Sequence, residues 1–310
     1  MHSEAMSSRI ELSVIIVTYN TREMTLECLR VLMIALEGVR AEIFVIDNAS
    51  NDGTAGAIRL AFPQAHIIAN ERNVGFGAAN NQAMKVAGGE FFLLLNSDAF
   101  PAKNAIAALI DFLKNNPQAG VAGPRLLNAD GTLQISCHSF PTPTYAWLEN
   151  LWLSRGYTCW PHDKELRVDF VVGACMLLRR EVYEQIGGFD EEFFMYAEEA
   201  DWQRRMQNER WEVVFVPNAC VIHLGGASGL SEKATINRHF FDSLDTYQRK
   251  HHGIAGLISL RMAMAVGCLL RSVLWGIASL RPKRRATALS KLRLHSWLFV
   301  RQTTHWSFSR

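Results

Sequence analysis

The chain has 310 residues, enough to bury a substantial core, and we expect one large domain with an appendage. Its net charge of +2 conceals an asymmetry, because residues 253–310 hold ten Lys or Arg and no Asp or Glu, whereas residues 1–252 hold 22 basic and 30 acidic side chains. An acidic body repels a phosphate backbone, so this distribution disfavours nucleic acid as a partner and favours a tail that binds an anionic membrane surface. Six cysteines without a CxxC pair indicate a reducing, cytoplasmic compartment and argue against zinc. No apolar run precedes the first strand, so we expect no secretory signal.

Buried strands alternate with helical patterns in the first hundred residues. Apolar, largely β-branched runs without helical gaps predict strands buried on both faces, and their alternation with helices predicts right-handed crossovers. The fold class is therefore α/β with a mostly parallel central sheet and flanking helices. The predicted strands are Leu12–Thr18, Ala41–Ile46, His66–Ala69 and the stretch Phe91–Phe100, which ends in Asn96-Ser97-Asp98.

Carboxylates follow two of these strands. Asp47 and Asp98 stand where open α/β sheets bind ligands, and a hard cation could sit beside Asp98 with phosphate oxygens; a polar turn is the simpler alternative. Gly75 and Gly77 permit close backbone approach to a ligand or merely a tight turn. The chain lacks GxGxxG after its first strand and lacks GxxxxGK[ST], so nicotinamide and P-loop chemistries are disfavoured.

Beyond Pro101 the pattern becomes less regular. A long segment at 138–162 mixes Pro with Trp, which is typical of a binding loop or lid. The predicted elements are a helix at Ala105–Leu113, a hairpin within Arg125–Ser136, and strands at Asp169–Leu178, Trp211–Val216 and Cys220–Leu224. His223 lies in the last strand before a Gly-rich loop, and is either a satisfied core histidine or a ligand of metal or phosphate.

The segment Gly187–Arg205 concentrates acids among aromatic residues. Partial desolvation raises carboxyl pKa values and suits general-base work near neutral pH. On a helix that begins near Ala197, Glu198, Asp201 and Arg205 share one face and Glu199 points about 100° away. The alternative is a helix whose first turn is acidic because of the macrodipole, with Asp201 and Arg205 as a surface pair.

The C-terminal region is helical, apolar and basic. We predict a helix at Ser231–His252 and an apolar stretch at Ile254–Leu280, in which Arg261 and Arg271 fall on a narrow polar stripe. Together with Arg-Pro-Lys-Arg-Arg at 281–285, residues 254–285 are suited to a helix that lies in an anionic cytoplasmic leaflet. A spanning or re-entrant segment and a buried or oligomer-forming helix are the alternatives, and the two arginines disfavour simple spanning.

Six segments stand out along about 215 residues: VIIVTYN at 14–20, VIDNASNDGT at 45–54, NVGFGAANNQA at 73–83, LLLNSDAF at 93–100, GGFDEEFFMYAEEADW at 187–202 and VIHLGGAS at 221–228. In this order they resemble the inverting glycosyltransferases of family 2, which have the GT-A fold, and especially the bacterial rhamnosyltransferase-like members. The resemblance implies a glycosyltransferase domain at 10–230, with a nucleotide-sugar half at 10–100 and an acceptor and catalytic half at 101–230, followed by the helical tail at 231–310.

The same resemblance implies roles for the matching residues. Asp47 would contact the nucleotide base, Asp98 would hold a Mg²⁺ or Mn²⁺ that bridges the donor diphosphate, and His223 would complete the metal or diphosphate site. Glu199 occupies the position at which the family has the Asp of its Glu-Asp base motif, and Glu198 occupies the position of the Glu in that motif. The remaining residues expected at the nucleotide sugar are Thr18, Tyr19, Asn20, Asn73, Gly75, Asn96 and Ser97, and those expected to contact the acceptor or shape the site are Asp201, Trp202 and Arg205.

Two positions depart from the family's pattern. Asn96 occupies the first DxD position, so metal binding would depend mainly on Asp98. Glu199 replaces an Asp and is one methylene longer, so either the backbone is set back or the base is Glu198.

The expected function is metal-dependent transfer of a sugar, such as rhamnose, from a nucleotide-diphosphate sugar to a saccharide or lipid-linked saccharide in cell-surface polysaccharide synthesis. We expect a cytoplasmic protein peripheral to the inner face of the cell membrane. A non-catalytic membrane-bound nucleotide-sugar-binding protein is the alternative, since it would retain Asp47 and the nucleotide loops. A glycoside hydrolase fits less well, because its two acids should flank one bond.

Overall fold

The apolar runs of the first hundred residues form the strands predicted for them. In the computed structural model, which describes residues 10–153, 160–225 and 233–304, each of these strands ends at a polar residue or one residue before it. The elements of this part are β1 (Leu12–Thr18), α1 (Arg22–Ala35), β2 (Ala41–Asp47), α2 (Thr54–Ala61), β3 (His66–Ala69), α3 (Phe76–Met84) and β4 (Phe91–Asn96).

The second part of the chain adds shorter strands to the same sheet. The predicted hairpin forms between β6 and β7, which pair antiparallel. The elements are β5 (Ala99–Pro101), α4 (Ala105–Asn115), β6 (Ala119–Leu127), β7 (Leu133–Gln134), β8 (Cys137–His138), α5 (Pro143–Asn150), β9 (Leu166–Arg167), β10 (Phe170–Val171), β11 (Cys175–Arg179), α6 (Arg180–Ile186), α7 (Glu198–Asn208) and β12 (Glu212–His223).

The central sheet is mixed, with a parallel nucleotide-type half. Its strand order is β3-β2-β1-β4-β11-β6-β12-β5. β1 pairs parallel with β2 and β4, and β2 pairs parallel with β3, as the crossovers predict. β11 lies antiparallel between β4 and β6, and β12 runs parallel to β6. The carboxyl ends of β1, β2, β3 and β4 therefore meet along one edge, which is where an α/β sheet binds ligands.

Two strand predictions are wrong in detail. Trp211–Val216 and Cys220–Leu224 are not separate strands, because β12 continues through Pro217 and Asn218 with a register irregularity between Val216 and Cys220. A bulge of this kind accommodates a proline without ending the strand. Conversely, Asp169–Leu178 is not continuous, because β10 and β11 are separated by three residues that include Gly173.

Apolar side chains cover both faces of the sheet. These side chains form two apolar clusters, one on each face of the sheet. Ile16 belongs to the cluster that contains residues of α1 and α4, whereas Ile15 belongs to the cluster that contains residues of α3 and α7. This burial on both faces explains why β1 and β4 read as unbroken apolar runs rather than alternating ones.

The chain forms two compact units. The first comprises residues 1–140 and 158–243, and the second comprises residues 141–157 and 244–310. The start of the C-terminal helix belongs to the first unit, whereas α5, from the predicted binding loop, belongs to the second. Part of that predicted loop, at 154–159, lies outside the described residues.

The second unit contains most of a long helix and the last helix. Helix α8 (Lys233–Ala278) is interrupted at Gly253, whose φ of 67° is non-helical, and α9 (Arg285–Thr304) follows a short 3₁₀ turn. The arginines of the predicted polar stripe face protein rather than solvent: Arg261 is buried and pairs with Asp245 Oδ2 at 2.7 Å, and Arg271 Nη1 donates to Asn150 Oδ1 at 3.1 Å. The described part of α8 from Arg238 to Ala278 is long and apolar enough to cross a membrane by length and composition, which is weak support for spanning.

Candidate active site

Polar residues converge where the parallel strands end. Thr18 is the register partner of Asp47 in the β1–β2 pair, and Val17 is the partner of Asn96 in the β1–β4 pair. The sheet thus brings together residues that are up to 79 positions apart in sequence. The sequence analysis placed Asp47 and Asp98 at this edge from the strand ends, whereas Thr18 and Asn96 were implied by the family resemblance.

A buried hydroxyl network supports the first strand end. Thr18 Oγ1 lies 2.8 Å from Thr25 Oγ1 and 2.9 Å from Thr21 Oγ1, and Thr21 Oγ1 lies 3.2 Å from Ser97 Oγ. Thr18 and Ser97 are both buried, so their side chains hold the loops after β1 and β4 together. The neighbouring Tyr19 is half-buried, and so is not sealed from solvent.

The loops after β1 and β2 are joined by Asn20. Its backbone N–H donates to Ser50 Oγ at 2.9 Å, and its Oδ1 accepts from the Asn51 N–H at 2.9 Å. Its φ of 53° lies in the left-handed region, which Asn tolerates better than most residues. Asp47 closes the second loop by accepting from the Ser50 N–H at 2.9 Å through Oδ1.

Gly75 connects this half of the sheet to the acidic segment. Its φ is +89°, and a Cβ there would overlap the carbonyl oxygen of Phe194. The same carbonyl accepts from the Phe76 N–H at 3.0 Å, and Asn73 Oδ1 accepts from the Gly75 N–H at 2.9 Å. Glycine is therefore required for close backbone packing, in addition to any contact with a nucleotide.

Asn81 on α3 makes a second connection to the acidic segment. Its Oδ1 accepts from the Phe189 N–H and its Nδ2 donates to the Phe189 carbonyl, both at 2.9 Å. A Cβ on Gly188 would collide with the Asn81 amide, so this glycine also permits close approach. The sequence analysis did not single out Asn81, because nothing local marks a contact that spans 108 positions.

Asp98 and His223 form a buried polar pair. The loop after β4 carries Asp98 and the end of β12 carries His223, and β12 pairs antiparallel with β5 just after Asp98. His223 Nε2 lies 3.3 Å from Asp98 Oδ1 and 3.4 Å from Asn96 Nδ2. His223 Nδ1 lies 2.7 Å from Gln134 Oε1. Asp98, Asn96 and His223, which the sequence analysis named, therefore lie together. Gln134, which it did not name, contacts His223 at the same place.

The acid pair at the start of α7 is desolvated. Glu198 is 4% exposed and Glu199 is partly exposed, yet the Oε2 atom of each is inaccessible and has no hydrogen-bond partner. Burial raises the pKa of Glu198 well above its ordinary value, and the charge of Glu199 raises it further. Burial also raises the pKa of Glu199, opposed in part by the Gly173 backbone N–H. Burial therefore disfavours the ionised form of both carboxyls.

Glu199 lies beside the break between β10 and β11. A Cβ on Gly173 would lie 3.8 Å from the Cβ of Glu199. The next residue, Ala174, accepts through its carbonyl from the Asn96 N–H at 2.9 Å. One short backbone segment therefore contacts both Glu199 and the loop that carries Asp98. Glu198 instead packs on α3: a Cβ placed on Gly77 would lie 3.9 Å from the Cβ of Glu198.

The other predicted residues of α7 hold the segment in place. Asp201 is fully buried and accepts from Arg205 Nε at 3.0 Å, so the pair is not the surface pair of the simpler alternative. Arg205 also donates to the carbonyls of Ile186 and Gly188 at 3.1 and 2.7 Å. Trp202 is fully buried and donates through Nε1 to the Gly187 carbonyl at 2.8 Å. These contacts fit a site-shaping role rather than side-chain contact with an acceptor.

Within the described ranges, no cluster of three or more His, Cys, Asp or Glu side chains is arranged to hold a metal ion. Asp98 and His223 are the acid and histidine that approach one another at the strand ends. The Gly-rich loop predicted after His223 lies outside the described residues beyond Gly225.

Comparison with known proteins gives relatives across most of the chain. An N-acetylglucosaminyl-diphospho-decaprenol L-rhamnosyltransferase of Mycobacterium tuberculosis is 28% identical over 294 residues, which is 88% of this chain and 95% of the relative. A low-salt glycan biosynthesis hexosyltransferase of Haloferax volcanii is 30% identical over 203 residues, 64% of this chain and 62% of the relative. A dTDP-rhamnosyl transferase of Shigella flexneri is 23% identical over 218 residues, 68% of each chain.

Solved structures share the fold at low identity. A mannosyltransferase of Pyrobaculum calidifontis, in complex with GDP-Man and Mn²⁺, has a TM-score of 0.58 and 18% identity, and the alignment covers 96% of this chain and 89% of that one. GalNAc-T7 with UDP, GalNAc and Mn²⁺ has a TM-score of 0.55 and 16% identity, covering 78% and 48%. Both similarities confirm the predicted GT-A fold. The model of the family described as glycosyl transferase family 2 matches residues 13–187, which is more than half of the chain. The chain therefore belongs to glycosyl transferase family 2.

Proposed function

We propose that this glycosyltransferase moves a hexosyl group, with L-rhamnose as the first sugar to test, from a nucleotide-diphosphate sugar to a saccharide or lipid-linked saccharide acceptor in cell-surface polysaccharide synthesis. The mycobacterial relative, named for rhamnosyl transfer to a diphospho-decaprenol acceptor, supports the acceptor class and the sugar. The Shigella relative, named a dTDP-rhamnosyl transferase, supports the same sugar. The observation that carries the proposal is that the segment Gly173-Ala174 contacts both Glu199 and Asn96, which lies two residues before Asp98.

The donor would lie along the ends of the parallel strands. Asp47 would contact the base, and the loop from Asn73 to Gly75 would line the nucleotide pocket together with Tyr19 and Asn20. Thr18 and Ser97 are buried in a hydroxyl network, so they would act by fixing the loops rather than by direct contact. The structural neighbours crystallised with UDP or GDP-Man share this sheet, which is consistent with the location.

The residues at the end of β4 fit a divalent ion, either Mg²⁺ or Mn²⁺. Asp98 Oδ1 and His223 Nε2 lie 3.3 Å apart, and neighbouring ligands of an octahedral ion with bonds of about 2.1 Å lie about 3 Å apart. Such ions commonly take one or two protein ligands and complete their shell with substrate phosphate and water. Asn96 beside His223 supplies an amide rather than a second carboxylate. When bound, the ion would supply positive charge opposite the leaving diphosphate.

Glu199 would act as the general base. It is partly exposed beside Gly173, whereas Glu198 is packed against α3 and the aromatic side chains around Phe189, so an acceptor hydroxyl has better access to Glu199. The acceptor oxygen would attack the anomeric carbon from the face opposite the diphosphate. Its proton would pass to Glu199 while the bond between sugar and diphosphate breaks, which gives an inverted glycoside and a nucleoside diphosphate.

The C-terminal helices would bind an anionic membrane surface at the cytoplasmic face. Exposed apolar residues recur at helical spacing along α8, whereas Arg261 and Arg271 are turned toward the protein. The exposed basic residues of Arg281–Arg285 follow, and no acid occurs in residues 253–310. An apolar stripe beside uncompensated positive charge is the pattern that anionic lipid attracts. The exposed apolar residues of α8 in this stripe are Ile258, Met262, Leu269, Val273 and Ile277.

A donor screen tests the proposed reaction. We expect one of the dTDP, UDP or GDP sugars, added with Mn²⁺, to raise the unfolding temperature, because a ligand at 100 times its Kd stabilises the folded state by about 2.7 kcal/mol. The stabilising donor is then offered with lipid-linked saccharides, and transfer is followed by mass spectrometry. Binding of a nucleotide sugar without transfer to any such acceptor would instead favour the non-catalytic alternative.

A further inference from the structure

The hairpin between β6 and β7 brings a glutamine side chain to the proposed metal site. Gln134 Oε1 lies 2.7 Å from His223 Nδ1, and Gln134 Nε2 donates to the His223 carbonyl at 3.1 Å. Nε2 also donates to Asn128 Oδ1 at 2.9 Å. Gln134 thus contacts both the side chain and the backbone of His223, although the two residues are 89 positions apart.

The orientation of this amide follows from the groups around it. Both neighbours of Gln134 Nε2 are oxygen acceptors, so the nitrogen must face them and Oε1 must face the imidazole. The opposite orientation would place Oε1 against the His223 carbonyl and the Asn128 amide oxygen, with two acceptor contacts in place of two hydrogen bonds. That orientation would lose two hydrogen bonds in a partly buried site, and is therefore disfavoured.

The Asn128 amide is oriented in turn by the hairpin. Its Nδ2 donates to Thr132 Oγ1 at 2.9 Å, and the Thr132 hydroxyl donates to Asp130 Oδ1 at 2.6 Å. The hydrogen bond from Thr132 lowers the pKa of Asp130, so its carboxylate is ionised and can only accept. A directed series of hydrogen bonds therefore runs from His223 Nδ1 through Gln134, Asn128 and Thr132 to Asp130.

The consequence lies at the other imidazole nitrogen. Because Gln134 Oε1 accepts, neutral His223 must carry its proton on Nδ1, which leaves the lone pair on Nε2. That lone pair faces Asp98 Oδ1 at 3.3 Å, with Asn96 Nδ2 at 3.4 Å on another side. Because Nε2 and Asp98 Oδ1 are both acceptors, a cation between them would be attracted by both. A hydrogen bond donated by the other ring nitrogen, as at Nδ1 here, makes a histidine a stronger metal ligand.

We propose that Gln134 is a positioning residue that holds neutral His223 in the Nδ1–H tautomer, and so presents Nε2 to the divalent ion beside Asp98. The proposal rests on the proposed metal site. It gives the hairpin Asn128–Gln134, which the sequence analysis treated only as a turn between strands, a role in donor binding.

The first test is the tautomer of His223 in the metal-free protein. Ring nitrogens are observed by ¹⁵N NMR at about pH 8.5, where an unperturbed imidazole is neutral, and the His223 signals are assigned by comparison with His223→Gln. We expect Nδ1–H in the wild type, a shift toward Nε2–H in Gln134→Met, and Nδ1–H again in Gln134→Glu, whose carboxylate still accepts. Ile135→Ala, at an exposed neighbour on the same hairpin, is the control and should resemble the wild type.

The second test is Mn²⁺ affinity, measured by electron paramagnetic resonance with a nucleoside diphosphate present. We expect Gln134→Met to weaken Mn²⁺ binding by about 10- to 100-fold, the usual effect of removing a hydrogen-bond partner of a ligand, and Gln134→Glu to recover most of it. Equal tautomers and equal Mn²⁺ affinities in the wild type and Gln134→Met, with both proteins folded, would overturn the proposal. Absence of Mn²⁺ binding in the wild type would instead overturn the metal site, while the tautomer measurement still tests Gln134.

Discussion

Replacing Glu198 with Gln should change how the stability of the protein depends on pH. Glu198 is 4% exposed, and its Oε2 atom has no hydrogen-bond partner, so burial and the charge of Glu199 raise the pKa of Glu198 above 4.5 in the folded state. Between the unfolded and folded pKa values the folded state holds more protons than the unfolded state. The free energy of unfolding therefore falls as pH rises through that window.

The magnitude is limited by one proton. A single group contributes at most about 1.4 kcal/mol per pH unit inside the window, and each kcal/mol corresponds to about 2–4 °C or less for a chain of this size. In Glu198→Gln this contribution is absent, because the amide does not ionise. We therefore expect the variant to gain stability relative to the wild type as pH rises above about 4.5, the ordinary pKa of the group, while the Glu199 contribution remains.

The assay is chemical or thermal unfolding of wild type and variant at several pH values. Glu71→Gln is the matched control, since it is the same substitution at an exposed position. Parallel stability curves for the wild type and Glu198→Gln would refute the reasoning, because they would show that Glu198 ionises in the folded protein as readily as in the unfolded chain.

Three further predictions concern donor binding, backbone packing and the tail. Asp98→Asn should remove the Mn²⁺-dependent part of donor stabilisation in the thermal-shift screen; an unchanged Mn²⁺ effect would show that Asp98 holds no ion. Gly75→Ala should destabilise the fold by more than Gly38→Ala. Both glycines have positive φ, which costs a residue with a Cβ about 1–2 kcal/mol, but only at Gly75 would the Cβ also overlap backbone atoms, those of Phe194. Equal free energies of unfolding in the two variants would contradict this. Replacing the basic residues of Arg281–Arg285 with Gln should weaken sedimentation with anionic vesicles but not with neutral ones, and undiminished binding would exclude the electrostatic contribution.

Most of the fold could be predicted from the sequence, because the strands are buried on both faces and therefore appear as unbroken apolar runs. Runs such as Leu12–Thr18 have no helical period, and their polar ends coincide with the ligand-binding edge of the sheet. The antiparallel placement of β11 was not predicted, since its apolar pattern is the same in either direction. The continuous β12 was also missed, because Pro217 normally indicates a strand end and the bulge that accommodates it depends on pairing with β6.

The sequence placed Asp98 at the binding edge because it follows a buried strand, whereas the role of Glu199 came from the family resemblance, and both roles stay predictions. Gln134 was not predictable, because its contact with His223 depends on the register of two strands that are far apart in sequence. The sequence also did not predict the left-handed backbone just before α7. Tyr196 and Ala197 have φ values of 72° and 62°, and neither residue type is one that favours the left-handed region. The difference between Glu198 and Glu199 likewise required tertiary packing, since both carboxylates stand in the first turn of one helix.

The measurement that tests the central claim most directly is the rate of sugar transfer by Glu199→Gln, compared with Glu198→Gln and the wild type at saturating donor. If Glu199 removes the proton of the acceptor hydroxyl, Glu199→Gln should bind the donor normally and lose about 10²- to 10⁴-fold in kcat. Glu198→Gln should retain more activity than Glu199→Gln. Turnover like that of the wild type in Glu199→Gln, or a loss confined to Glu198→Gln, would contradict the assignment of Glu199 as the base.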